Sequence, residues 1–157
     1  MLELRNVSKR FSGIAAVDDV NFCARPGEVT GYLGPNGSGK STTMKMITGL
    51  IEMSAGQILF EGKPIQDDLM AYKCRLGYVP EEPYLYTHLS GAEYLTMVAQ
   101  LRSLPGRQAM ERMDGMLRLF SLRDDRHASI SGYSKGMRQK ILLIAALMHN
   151  PQLILLD

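Results

Sequence analysis

Residues 34–42 read Gly-Pro-Asn-Gly-Ser-Gly-Lys-Ser-Thr. Gly34, Gly39, Lys40 and Ser41 fall at the fixed positions of a phosphate-gripping loop. Each residue type has a physical task. Glycine lacks a Cβ, so the chain can take positive φ and bring backbone against an anion. The N–H groups of Asn36, Gly37, Ser38 and Gly39 can form an anion nest, and a helix opening at Ser41 adds partial positive charge. Lys40 offers a mobile cation to terminal phosphates, and the Ser41 hydroxyl offers a ligand to magnesium. Pro35 and Thr42 complete the set expected at a nucleotide. The plain alternative is a Gly-rich turn that caps a helix. The spacing is not the dinucleotide pattern, because glycines at 34, 37 and 39 do not give G-x-G-x-x-G. A guanine-reading Asn-Lys-x-Asp box is absent. The loop therefore implies a nucleoside triphosphate and disfavours GTP.

A second chemical feature lies at the other end. Leu153 to Leu156 read as a buried strand, and Asp157 follows. A carboxylate at the tip of an apolar strand is where nucleotide enzymes hold magnesium, a hard cation that prefers oxygen.

These residues need elements to position them. The 157 residues are about one domain's worth, 45% apolar and 22% charged, ordinary for a chain that folds around a core. A net charge of +2 is too small to argue for nucleic acid or an anionic surface. The two cysteines, Cys23 and Cys74, exclude a disulfide framework and a four-cysteine zinc site and fit a reduced compartment. The N-terminus lacks an apolar signal core, and the run from Ile141 to Met148 is shorter than the ~20 residues that span a bilayer. A cytoplasmic chain is expected, reaching a membrane only through a partner. Most of the eleven Met are expected to fill core gaps.

Leu2, Leu4 and Val7, then Val17, Val20 and Phe22, alternate as half-buried strands around a Ser12-Gly13 turn. A short strand is expected over Glu28 to Leu33, feeding the loop, then a helix from Ser41 to Leu50 ending near Gly49, then a strand from Gln57 to Phe60. Ser90 with Glu93 has capping-box spacing ahead of Tyr94, Leu95, Val98 and Leu101. Pro105 can open a further helix, with Met110, Met113, Leu117 and Phe120 at helical spacing. A last helix is expected from about Lys135 to His149. Strand, loop and helix alternate around a helical block, which predicts an α/β fold with parallel strands. The scattered His88, His127 and His149 predict surface or helix-end roles, with positive charge tolerated at His149.

The stretch "YSKGMRQK" (133–140) resembles the signature motif of ATP-binding cassette proteins, usually Leu-Ser-Gly-Gly-Gln. Ser134 takes the serine place and Gly136 the second glycine; Tyr133, Lys135 and Met137 depart from it. Taken alone, Ser134 could merely cap a helix. "ISGYS" (130–134) is a rival register that lacks the later glycine. With the phosphate loop and Asp157, the whole chain resembles the N-terminal part of an ATP-binding cassette nucleotide-binding domain. Its wording is nearest the bacterial ATPase subunits that export drugs or surface polysaccharides.

The resemblance implies a P-loop NTPase core with an N-terminal antiparallel strand segment and an inserted helical subdomain. It divides the chain into a nucleotide core (1–84), a helical subdomain (about 85–135), and a signature helix with the metal-binding strand (136–157). ATP and Mg2+ are the implied ligands. Phe11 falls where an aromatic stacks on adenine, with Val17 as a further nucleotide contact; a core Phe beside a turn is the alternative. Lys40, Glu81, Ser134 and Gly136 take the catalytic places, and Ser41, Glu81 and Asp157 the metal places. The family usually has Gln where this chain has Glu81. An ionised Glu only accepts hydrogen bonds, and it adds negative charge near the γ-phosphate. The other reading of Glu81 is a passive, solvated residue. The "PYLY" aromatics (83–86) either pack within the subdomain or meet a membrane subunit; packing is the expectation.

Implied partners are a second nucleotide-binding domain and a transmembrane permease, with no nucleic acid. Competing classes are a soluble cassette protein of DNA repair or translation, a small-molecule kinase, and an inert fragment. In the family a glutamate that polarises water follows the aspartate, and a later strand sits between the two chemical strands. A sequence stopping at Asp157 is therefore expected to be truncated, to lack C-terminal core strands, and to hydrolyse ATP weakly or not at all.

Overall fold

A computed structural model describes residues 1–82 and 84–157. Pro83, part of the "PYLY" stretch, lies outside them. The chain forms two compact units, Met1–Lys73 and Cys74–Asp157.

The first unit is built on an antiparallel sheet. β1 (Leu2–Phe11) and β2 (Ile14–Ala24) form a hairpin through Ser12 and Gly13, where both residues take positive φ. The expected alternation holds in part: Leu2, Leu4, Val7 and Val17 are buried, while register shifts along β1 break the strict period. β3 (Ala55–Phe60) pairs with the other edge of β1, and the two-residue β4 (Lys63–Pro64) pairs with β3, giving the order β2-β1-β3-β4. Between the hairpin and β3 runs α1 (Lys40–Ile47). It ends as expected near Gly49, which is left-handed at φ 65°. α2 (Leu69–Cys74) was not foreseen. Its Tyr72 hydroxyl donates to the Ile47 carbonyl at 2.8 Å, and its ring meets Phe60 edge-on at 5.4 Å. Burial drives the Tyr72 phenol well above its ordinary range.

The expected strand over Glu28 to Leu33 does not form. Residues 28–33 join no ladder among the described residues, and Val29 and Leu33 are 104% and 91% exposed. An apolar run becomes a strand only when its N–H and C=O groups find a neighbouring ladder.

The second unit is mostly helical. β5 (Leu76–Val79) pairs with β6 (Leu153–Leu156) in parallel, Leu76 opposite Leu153 and Val79 opposite Leu156. β6 is less buried than expected: Leu155 is buried, but Ile154 and Leu156 are 47% and 60% exposed. Among the described residues β6 pairs with β5 alone, which accounts for this. α5 (Lys135–Leu147) packs on β5 through Leu142 and Ala146 against Val79. The approach is close: a Cβ on Gly77 would lie 2.5 Å from the Ala146 carbonyl oxygen.

α3 (Gly91–Leu101) opens with the expected capping box: Ser90 Oγ accepts from Glu93 N at 3.2 Å, and Glu93 Oε2 accepts from Ser90 N at 2.8 Å. These bonds hold the Glu93 carboxyl below its usual range. α4 (Gly106–Leu119) starts directly after Pro105. Leu95, Leu117, Leu122, Ile130, Ile141 and Ile144 form the core that joins the three helices.

Several smaller expectations change. Tyr84 and Tyr86 are 81% and 58% exposed, so they do not pack within the subdomain; of the described residues of that stretch, Leu85 alone turns to the core. Met46 and Met148 are fully buried, whereas Met70 and Met110 are 74% and 63% exposed. Positive charge at His149 is disfavoured rather than tolerated. The ring is partly buried, its Nε2 lies 3.0 Å from the Leu76 carbonyl oxygen, and burial with the nearby Arg102 and Arg112 lowers its pKa.

Candidate functional site

In the first unit the site is the turn from Gly34 into α1. Gly37 and Gly39 take φ 81° and 87°, the left-handed region that glycine enters without steric cost. Gly39 has a second constraint. A Cβ there would lie 2.4 Å from the Ala16 carbonyl oxygen and 2.8 Å from Val17 Cγ2. The loop is thus seated on β2, and Val17 is buried beneath it.

α1 begins with no side-chain cap and no acidic residue in its first turn. Among the described residues, then, neither a capping side chain nor a first-turn acid offsets the partial positive charge of its first turn, the arrangement that receives an anion. Lys40 curls back, and its Nζ donates to the Gly34 and Pro35 carbonyls at 2.8 Å each. The ammonium is therefore held at the lip of the loop by weak neutral acceptors, which a phosphate can replace. Ser38 N donates to the Pro35 carbonyl at 3.2 Å, which closes the turn. Asn36, Ser38 and Ser41 are exposed, while Thr42 is half-buried.

Thr43, which sequence reasoning did not single out, is fully buried and fixes the helix start. Its Oγ1 donates to the Gly39 carbonyl at 3.0 Å and meets the Tyr32 hydroxyl at 3.3 Å. Phe11, at the end of β1, is 49% exposed. That overturns the reading of a core Phe and leaves ring surface free for a ligand.

In the second unit, Glu81 is exposed just beyond β5, next to Glu82, whose carboxylate accepts from the Tyr84 hydroxyl at 3.1 Å. Ser134 is the N-cap of α5, and its Oγ accepts from Met137 N at 3.2 Å. Gly136 is exposed in the first turn. Capping explains why a serine stands there; it leaves the hydroxyl proton and the exposed turn available to a ligand.

Asp157 follows β6. Its N–H donates to the Val79 carbonyl at 3.0 Å, and its Oδ2 accepts from the Tyr78 hydroxyl at 3.3 Å. Burial, and then the Asp157 charge, raise the Tyr78 pKa, so the phenol stays protonated and keeps donating. Sequence reasoning missed Tyr78. The signal was the parallel register that places Tyr78 opposite Leu155, two residues before Asp157. Phe11, Val17 and the loop residues belong to the first unit; Glu81, Ser134, Gly136 and Asp157 belong to the second.

The family model described as "ABC transporter" matches residues 17–157. The Bacillus subtilis ABC transporter ATP-binding protein YhcH is 40% identical over all 157 residues, which cover 50% of its length. The probable multidrug ABC transporter ATP-binding protein YbhF of Escherichia coli is 34% identical over the whole chain, which covers 27% of it. A solved structure titled "Structure of ATP binding subunit of ABC transporter" superposes with a TM-score of 0.91 at 33% identity, covering all of this chain and 65% of that one. The chain spans half or less of the length of these two curated relatives. Its α/β architecture, with an antiparallel N-terminal sheet and a helical block, is that of the solved subunit. The chain belongs to the ABC transporter family.

Proposed function

We propose that this chain binds ATP as part of the subunit that powers a membrane transporter, and that the transporter exports its substrate. The observation that carries this reading is the start of α1: an uncapped helix N-terminus, two left-handed glycines, and Lys40 held at the loop lip by two replaceable carbonyls. The export direction rests on the wording of the sequence and on the multidrug designation of YbhF.

In this reading Lys40 transfers its hydrogen bonds from Gly34 and Pro35 to the terminal phosphates. The N–H groups from Asn36 to Thr42 surround the phosphate chain, and Phe11 and Val17 line the base side. Ser134 and the N–H of Gly136 act on the γ-phosphate of a second nucleotide-binding domain. The reaction is in-line attack of water on γ-phosphorus, where positioning and charge stabilisation do most of the work.

Magnesium fits the donors present, since Ser41, Glu81 and Asp157 offer only hydroxyl and carboxylate oxygen, the ligands a hard cation takes. Those three residues would hold it, and it would supply neutralisation of phosphate charge. Tyr78 orients one Asp157 oxygen and leaves the other unbonded in the described contacts. We further assign residues 1–84 to nucleotide binding, about 85–135 to a helical subdomain that faces a permease, and 136–157 to the signature helix and metal strand.

Titration calorimetry of the chain with ATP, GTP and tripolyphosphate tests the reading. Saturable ATP binding that Lys40→Met weakens by about 10- to 100-fold is expected. Binding that is indifferent to Lys40 overturns it. Export is tested by expressing the full gene with its neighbouring permease and following efflux; uptake instead of efflux overturns that part.

A further inference from the structure

Phe11 closes β1 with 49% of its surface exposed, and a charged neighbour lies against its ring. Lys9, two residues earlier on the same face of β1, places its ammonium over the ring at 5.1 Å from the centroid. That ammonium is itself tethered, donating to the Glu52 carbonyl at 2.6 Å. The 52–54 segment is in turn strapped to β1: Ser54 N donates to the Ser8 carbonyl at 2.8 Å, and Arg10 N donates to Ser54 Oγ at 3.0 Å. A backbone acceptor thus holds a cation, and the cation covers one face of an otherwise exposed aromatic ring.

We infer that Lys9 is a positioning residue for nucleotide binding: it clamps one face of Phe11 so that the other face is presented to the base. The inference rests on the reading that Phe11 stacks on the nucleotide base. Two physical effects support it. An exposed ring otherwise samples several staggered χ1 wells, and binding must select one of them; a tethered cation makes that selection beforehand. The cation also draws π density towards itself. The far face becomes less negative and repels the π cloud of a stacked base less. Lys9 therefore contributes to base affinity without touching phosphate.

The test compares ATP with tripolyphosphate, which has no base, as ligands for the chain in four forms: unchanged, Lys9→Met, Lys9→Arg and Phe11→Ala. Lys9→Met keeps the length and apolar stem and removes only the cation. The expected result is ATP affinity lowered by about two- to fivefold in Lys9→Met, the size of an exposed cation–π contact. Tripolyphosphate affinity stays unchanged, and Lys9→Arg restores ATP affinity. Equal losses for both ligands would mean that Lys9 acts by general charge, and they overturn the inference. No loss for either ligand overturns it as well. If Phe11→Ala lowers the ATP preference but Lys9→Met does not, the clamp fails and base stacking stands. If Phe11→Ala leaves the ATP preference unchanged, or the unchanged chain does not prefer ATP over tripolyphosphate, the stacking reading fails and takes the clamp with it.

Discussion

The α-carbon of Gly39 sits so close to the Ala16 carbonyl that a Cβ would lie 2.4 Å from its oxygen. This contact seats the phosphate loop on β2, and Gly39 also needs φ 87° to turn the chain into α1. Gly39→Ala meets both a backbone clash and a left-handed conformation. It is expected to lose about 1–3 kcal/mol of stability and to bind ATP far more weakly, because the loop must lift off β2. Urea unfolding with parallel calorimetry checks this. Unchanged stability would mean that β2 yields easily and does not set the loop.

Lys40 separates binding from stability in the opposite way. Its two partners are exposed carbonyls, so Lys40→Met should alter stability by no more than about 0.5 kcal/mol. If its ammonium moves to phosphate, ATP binding should fall by about 10- to 100-fold, the size of hydrogen bonds to charged groups. A large drop in melting temperature, with ATP affinity kept, would give Lys40 a structural role only.

Glu81 places a carboxylate where the resemblance leads one to expect an amide. If it lies near the γ-phosphate, it repels ATP until a cation neutralises it. Glu81→Gln should then raise ATP affinity in the absence of magnesium by up to about tenfold, with a smaller change in its presence. Identical affinities under both conditions would make Glu81 a solvated bystander, in line with its exposure.

Ser134 caps α5 through Met137 N. Ser134→Ala should cost about 0.5–2 kcal/mol, and Ser134→Asn, also a good cap, should recover most of it. Chemical denaturation of both variants decides. Equal losses would show that side-chain capping does not account for the cost of losing Ser134.

What could be read in advance was local. The capping box of Ser90 and Glu93 lies within four residues, and the Ser12-Gly13 turn joins strands that are neighbours in sequence. The phosphate loop is likewise complete within nine residues, 34–42. The failures are non-local. Val29 to Leu33 has the composition of a strand, yet a strand requires a partner's ladder, and none of the described residues supplies it. Leu76–Val79 went unrecognised because its partner begins at Leu153, so the Tyr78 hydroxyl on Asp157 stayed hidden too. Tyr84 and Tyr86 were misjudged because aromatic side chains read as core-seeking by type, while only the backbone path decides which way they turn.

His149 gives the second unit a dependence on pH. Its Nε2 meets the Leu76 carbonyl, to which Arg102 also donates at 3.4 Å, while Arg112 donates to the Met148 carbonyl at 3.0 Å. The ring is thus partly buried near two guanidinium groups, and its Nδ1 is buried without a hydrogen-bond partner among the described residues. Burial first, and then those cations, lower its pKa from the ordinary 6.5. In the unfolded chain the imidazole takes up a proton at about the ordinary value; in the folded chain it takes one up only at lower pH. The unfolded state therefore binds more protons in that window. Stability is fully present above pH 6.5 and declines as pH falls from there towards the lowered folded value. Urea midpoints measured between pH 8 and pH 5, about one and a half units either side of the ordinary imidazole value, should fall on acidification. His149→Gln, whose amide can still donate to the Leu76 carbonyl, should flatten that fall. An equally steep fall in the variant would place the acid sensitivity in groups other than His149; the Glu93 carboxylate of the α3 cap is not one of them, since its own contribution lies below pH 4.5, outside that window.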